Sequence, residues 1–213
     1  MTIREAAPEC LSAPITLEEA LADAARRECA VNGYLFENDT LENYTADDLD
    51  ASNCVFHRVC FTNIHARHTH FMNCVFDHCE FASFPMNESS IRQTLFRDCR
   101  MTGQTFEETR LADVILRDTR FQYGVLSNCR AERVRFENCD LKGSFFTAVR
   151  QKDLFFQKCT LIETEFSGTP LKGVDLSDSI LAGWRIDPAL LRGAALSSEQ
   201  AADIMALLGI IVK

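Results

Sequence analysis

From residue 36 to residue 186 an apolar side chain recurs at every fifth position. The series begins Phe36, Leu41, Ala46, Ala51, Phe56, Phe61 and ends Leu176, Leu181, Ile186; of its 31 members only Gln151 is polar. The stretch Asn73–Phe81, NCVFDHCEF, shows the unit twice, with Cys74 and Cys79 each two places before a phenylalanine. A helix repeats its faces about every 3.6 residues and a strand every 2, so neither accounts for a period of five. The position two before each large residue is mostly small or β-branched: Cys54, Val59, Ile64, Thr69, Cys74, Cys79, then Ser89, Thr94 and Cys99. The pattern therefore predicts a unit that sends two side chains inward, one large and one small, and leaves three in water.

This register resembles the pentapeptide-repeat family over about residues 31–190, without an insertion. The resemblance implies an all-β chain wound as a right-handed, four-sided β-helix, one pentapeptide per wall and 20 residues per coil. We number the walls by their first large residue in the unbroken series: wall one from Phe36, wall two from Leu41, wall three from Ala46 and wall four from Ala51. One independent feature supports a period of 20. On wall one the residue before the large one reads Leu35, Val55, Val75, Leu95, Ile115, Arg135, Phe155, Asp175, an apolar stripe where the other walls are mostly polar. About eight coils are expected.

Both ends of such a rod need covering, or rods would stack edge to edge. Residues 1–30 read as an N-terminal cap segment, with Thr16 and Glu19 as a capping box and Leu17, Leu21 and Ala24 at helical spacing. Residues 191–213 lose the five-residue period. Ser197 with Gln200 reads as a second capping box, Ala201, Ile204, Met205 and Leu208 as the packing face of a helix, Gly209 as its stop and Ile210–Val212 as a short strand. Leu207, Ile210 and Ile211 are apolar beyond what one packing face needs, so Ile204, Leu207, Leu208, Ile210 and Ile211 are expected to pair two copies of the chain. A solenoid that ends this way resembles the Qnr-type quinolone-resistance members of the family, in a form without projecting loops. That resemblance implies a homodimer.

Composition then narrows the function. Hydrophobic residues make up 46% of the 213, so the chain has material for a core. No apolar run reaches the roughly 18 residues that span a membrane, and MTIREAAPEC lacks a signal-peptide core; a cytoplasmic protein is expected. Seven of the ten cysteines sit at the small inward position, which suits reduced, buried thiols. No nucleotide loop, nucleophile elbow or metal-protease motif is present, and neither an enzyme, a cofactor nor a metal site is expected. The five histidines, His57, His65, His68, His70 and His78, scatter over three walls and read as solvated surface.

The net charge of −9 disfavours a direct nucleic-acid ligand and allows a basic partner. Sorted by wall, the charge is uneven. Wall three exposes Asp47, Asp48, Glu88, Glu107, Glu108, Glu165 and Asp187 against two arginines; wall four has seven basic residues, among them Arg110, Arg130 and Arg150, against four acidic ones. The Qnr-type resemblance implies binding to DNA gyrase or topoisomerase IV, protection from quinolone-type inhibitors, and an acidic wall that imitates duplex DNA. The alternative is a scaffold protein that meets another partner through one wall, for instance through the Leu35–Phe155 stripe.

Overall fold

The five-residue unit exists because the backbone turns a corner every five residues. In the computed structural model, which describes residues 5–12 and 15–207, the residue two after nearly every large side chain sits at φ of about +50°. This left-handed conformation costs most L-residues roughly 1–2 kcal/mol and is easiest for glycine, asparagine and aspartate. The corners are chosen accordingly, as at Asn38, Asn43, Asn53, Asn63, Asn73, Asp98, Asp118, Asn128, Asn138, Gly103 and Gly143. Gly143 has a second reason: a Cβ there would lie 2.7 Å from the Tyr123 ring.

Four corners bring the chain back over itself in register. Phe36 pairs with Phe56, Phe56 with Phe76, Phe76 with Phe96 and Phe136 with Phe156, always 20 residues apart and always parallel. The result is a four-sided solenoid of about eight coils. Walls one and four form most of an 11-stranded sheet, wall two a 3-stranded sheet and wall three a 5-stranded sheet.

Inside, the large positions stack. Phe56 lies 4.6 Å from Phe76 at 5°, and Phe76 lies 4.9 Å from Phe96 at 7°. Phe61–Phe81 and Phe146–Phe166 repeat the motif on walls two and three. The small positions also bond. Several send a hydroxyl or thiol to the carbonyl of a large residue one coil below, as in Thr109 Oγ1 to Met86 O at 2.7 Å, Thr169 Oγ1 to Phe146 O at 2.9 Å and Cys79 Sγ to Phe56 O at 3.2 Å. A buried hydroxyl or thiol is thereby satisfied inside the tube. All ten cysteines are free thiols. Burial pushes Cys74 up to about 12 and Cys129 to about 11, so both stay protonated and able to donate.

Two places depart from the series. Ala46 and Ala66, expected inside, are only half-buried; the strands Thr45–Ser52 and His65–Met72 run straight past the corners at Asp48 and His68 and bury Leu49 and Thr69 instead. A methyl group offers too little apolar surface to pin that part of wall three inward. Gln151 turns outward and donates to Pro170 O and Lys172 O, both at 3.2 Å, where Pro170 has no N–H for the ladder.

The ends are capped. Helix α1, Leu17–Arg26, has the expected capping box at Thr16 and Glu19 and buries Leu17, Ala20, Leu21 and Ala24 against the first coil. Its first turn is tied down by Leu17 N donating to Asp39 Oδ2 at 2.7 Å. Helix α2, Ser198–Leu207, has the reciprocal Ser197–Gln200 bonds. Gln200 Nε2 then donates to Leu176 O and Ser179 O, closing the last coil, and Ile204 is buried beside it. Met205, expected on the packing face, is instead 41% exposed. The side chain of Leu207, together with Leu208, Gly209, Ile210, Ile211 and the predicted strand, lies outside the described residues.

Phe76 is fully buried at the centre of its stack. Phe76→Ala should cost about 3–5 kcal/mol in chemical denaturation, because rigid coils above and below cannot collapse into the cavity.

Candidate interaction surfaces

A filled tube leaves function to its outer walls. The positions flanking each large residue project outward on rungs about 4.8 Å apart, so any side chain has its outer neighbours 20 residues away. This spacing decides which charges meet. Asp48 accepts from His68 Nδ1 at 3.1 Å, Arg117 Nε meets Glu137 Oε2 at 2.7 Å and Arg133 Nε meets Asp113 Oδ1 at 2.7 Å, each exactly one coil apart in register.

The densest such network is on wall one. Asp77 is buried, and its carboxylate accepts from Arg97 Nε at 2.8 Å, His57 Nδ1 at 2.9 Å and His78 Nδ1 at 3.0 Å. The Arg97 bond, aided by the two histidines, holds this carboxyl well below the usual carboxylate range against the opposing effect of burial. The ligand atoms of His57, Asp77 and His78 lie within 4.8 Å of one another, the donor set of a transition-metal site. Arg97 already places a positive charge on the same carboxylate, so we read the cluster as an ion-pair network that ties three coils together. Treating His57 and His78 as solvated surface missed this network. The signal was present in the numbering, since 57, 77 and 97 are 20 apart.

Wall one also bears the apolar stripe, and the stripe is not free. Residues 5–12 run along the rod across its rungs. Glu5 meets Arg117 at 3.1 and 3.4 Å, Ala6 is buried against Leu95 and Ile115, Ala7 N donates to Asn73 Oδ1, and Leu11–Ser12 pair in parallel with Tyr34–Leu35. Val75 and Phe155 complete the patch half-buried, the latter under Arg135 at 5.3 Å. The N-terminal segment is thus partly a strap, and it occupies the docking surface that the sequence offers.

The predicted acidic residues of wall three divide between two sheets: Asp47 and Asp48 lie on the strand Thr45–Ser52, which joins the 11-stranded sheet of wall four, and Glu107 and Glu165 lie on the 5-stranded sheet. Asp47, Asp48, Glu88, Glu107 and Glu108 are exposed; Glu165 is half-buried and sits beside Arg185 on the next rung. Of these, only Asp48 holds an ion pair among the described residues. The wall is not uniformly acidic. The exposed carboxylates cluster on the first four coils, and the next rungs present Ser127, Asn128, Thr147 and Ala148 with Phe145 42% exposed. Beside the acidic half, a surface groove of about 620 Å³ separates α1 from the strand Thr45–Ser52, and burial in it raises the Asp50 carboxyl.

Wall four is the converse. Arg110, Arg130 and Arg150 stand exposed on three consecutive rungs of coils four to six, in direct register. Charge is therefore segregated along the rod as well as around it. Sorting the sequence by wall showed the second but not the first.

Residues 69–146 match the family model described as pentapeptide repeat region. Among solved structures, HetL, a pentapeptide repeat protein involved in heterocyst differentiation regulation from the cyanobacterium Nostoc sp. strain PCC 7120, aligns with 15% identity over 86% of this chain and 98% of its own, at a TM-score of 0.56. QnrB1, a plasmid-mediated fluoroquinolone resistance protein, aligns with 21% identity over 85% of this chain and 91% of its own, at a TM-score of 0.45. The fold is the pentapeptide-repeat β-helix. No match is found among curated proteins.

The Asp77 network makes a pH prediction. A carboxyl whose pKa is depressed on folding contributes stability above its unfolded pKa of about 3.9 and loses it as pH falls toward the folded value. Asp77→Asn should lower the denaturation midpoint at pH 7 and flatten its dependence between about pH 4 and 2. A variant whose acid profile overlays the parent's removes Asp77 as a source of that dependence.

Proposed function

We propose that this chain is a non-enzymatic binding protein whose acidic half-wall engages the basic DNA-binding surface of a type II topoisomerase, DNA gyrase or topoisomerase IV, and shields it from quinolone-type inhibitors. The observation that carries this reading is the set of exposed carboxylates Asp47, Glu88, Glu107 and Glu108 on the first four coils. From Asp47 to Glu107 they span three rungs, roughly 14 Å. A duplex-binding saddle is lined with lysine and arginine for phosphates, and a stiff acidic rod meets it with complementary charge at little ordering cost. Residues 197–213, resembling the Qnr-type terminus, favour the same reading, with two rods expected to join through Ile204, Leu207, Leu208, Ile210 and Ile211.

A second reading is favoured by one specific observation. The exposed arginines of wall four have no place in an imitation of DNA, and they suit a scaffold that meets a different protein. HetL, with the same fold, is described as regulatory.

The two separate in a gyrase supercoiling assay with ciprofloxacin, run alongside direct binding at low and physiological salt. Glu107→Lys with Glu108→Lys should abolish protection and weaken binding, which should also fall as salt rises. Arg110→Gln, Arg130→Gln and Arg150→Gln together should leave both unchanged. Absence of gyrase binding at low salt overturns the topoisomerase reading and leaves the scaffold.

Sedimentation tests the assembly. The parent chain should be a dimer, and Leu207→Glu or Ile211→Glu should yield monomers with an unchanged β-sheet circular-dichroism signal. A monomeric parent reduces residues 197–213 to an end cap.

A further inference from the structure

From the wall-four arginines we infer that coils four to six carry a docking track for an extended, acidic segment of a partner protein. Parallel pairing sets Arg110 opposite Arg130 and Arg130 opposite Arg150, so three positive charges stand one rung apart. Like charges directly across a ladder destabilise it. Elsewhere sign mostly alternates over 20 residues, as in His57–Asp77–Arg97, Asp113–Arg133 and Arg117–Glu137, and stacked arginines stop at pairs, Arg97–Arg117 and Arg100–Arg120. The three guanidinium groups make no hydrogen bond or ion pair among the described residues. Two of the nearby carboxylates, Asp113 and Glu132, bind Arg133 at 2.7 Å, and Glu132 also faces Lys152 and Arg110. Folding does not account for the arginine ladder; an anionic ligand does.

The chain itself shows how such a ligand lies. On wall one, residues 5–10 cross the rungs, meeting Arg117, Leu95, Ile115, Asn73 and Asn53 in turn, and the Glu5 carboxylate takes Arg117 in a two-pronged contact. The same geometry on wall four places a foreign strand along the rod. At about 3.3 Å per residue, three to four residues cover the span from Arg110 to Arg150, and alternate acidic side chains face the wall. Guanidinium–carboxylate forks supply both affinity and register.

The surroundings favour a polypeptide over nucleic acid. The corner next to Arg110 is Glu108, with Glu107 and Glu88 behind it on wall three, all exposed. A duplex, about 20 Å wide, laid on the ladder overlaps that acidic face, whereas a single peptide strand does not. Among the described residues, the rungs bearing the three arginines offer no exposed Phe, Tyr or Trp ring on which unpaired bases would stack.

The test is fluorescence anisotropy of the full-length protein at about 25 mM salt. The probes are a labelled peptide of about ten residues with glutamate at alternate positions, its glutamine counterpart, and single- and double-stranded DNA of equal charge. The acidic peptide should bind and the glutamine peptide should not. Arg110→Gln, Arg130→Gln and Arg150→Gln together should weaken the acidic peptide by about ten-fold or more, with circular dichroism and melting temperature no lower than the parent's. Glu107→Lys with Glu108→Lys should leave peptide binding intact, which separates this track from the acidic face. The inference is overturned if the acidic peptide does not bind, if the triple variant binds it as the parent does, or if either DNA binds through the same arginines at least as tightly.

Discussion

A backbone that turns through a left-handed corner every five residues is the constraint on which the rest of this molecule depends. Four corners return the chain to its starting direction, which fixes 20 residues per coil and forces every pairing to be parallel and in register. Identical environments then stack on identical environments. Phenylalanine lies on phenylalanine, and where the small residue beside a corner carries a hydroxyl or thiol it mostly bonds a carbonyl of the coil below. The corner also explains the chemistry of that small position. Cysteine, threonine and serine serve alike because each is compact and each can donate one hydrogen bond.

The same constraint governs the surface. A side chain on an outer wall has no choice of neighbours along the rod, because the residue 20 before and the residue 20 after are brought to its side. Sign alternation at that interval stabilises the rod, and the Asp77 network shows it in its most buried form. Sign repetition does the reverse, so the stacked arginines of wall four and the clustered carboxylates of wall three are departures that the fold does not need. Both read most simply as surfaces made for partners of opposite charge.

The ends and the strap complete the design. A coil left open would present unpaired backbone to other sheets. Helix α1 covers the first coil, α2 the last, with Gln200 supplying two donors to otherwise open carbonyls. The strap removes the one apolar stripe on the outside from solvent. What remains exposed among the described residues is mostly polar and charged, with Met72, Tyr123, Phe145 and Ile180 among the apolar exceptions, on a scaffold that meets a partner with little reorganisation.

The sequence by itself determined the architecture. An unbroken period of five over 31 units carried the resemblance to the pentapeptide-repeat family, which implies the four-sided coil, and both helix starts were legible as capping boxes at Thr16–Glu19 and Ser197–Gln200, because capping depends only on residues three apart. It sorted Asp47, Asp48, Glu88, Glu107, Glu108 and Glu165 onto one wall, whereas the fold carries Asp47 and Asp48 on a strand shared with wall four. It did not show that Ala46 and Ala66 leave wall three loosely pinned, that Met205 faces solvent, or that residues 5–12 lie over the apolar stripe. These are outcomes of competition between distant surfaces. The stripe's Leu95 and Ile115 are nearly a hundred residues from Ala6, and no local pattern announces which of several apolar patches a short arm will cover. The pairing of Asp77 and the isolation of the arginine ladder were likewise decided only in the folded rod, where the carboxylates near each guanidinium are shared out among competing partners.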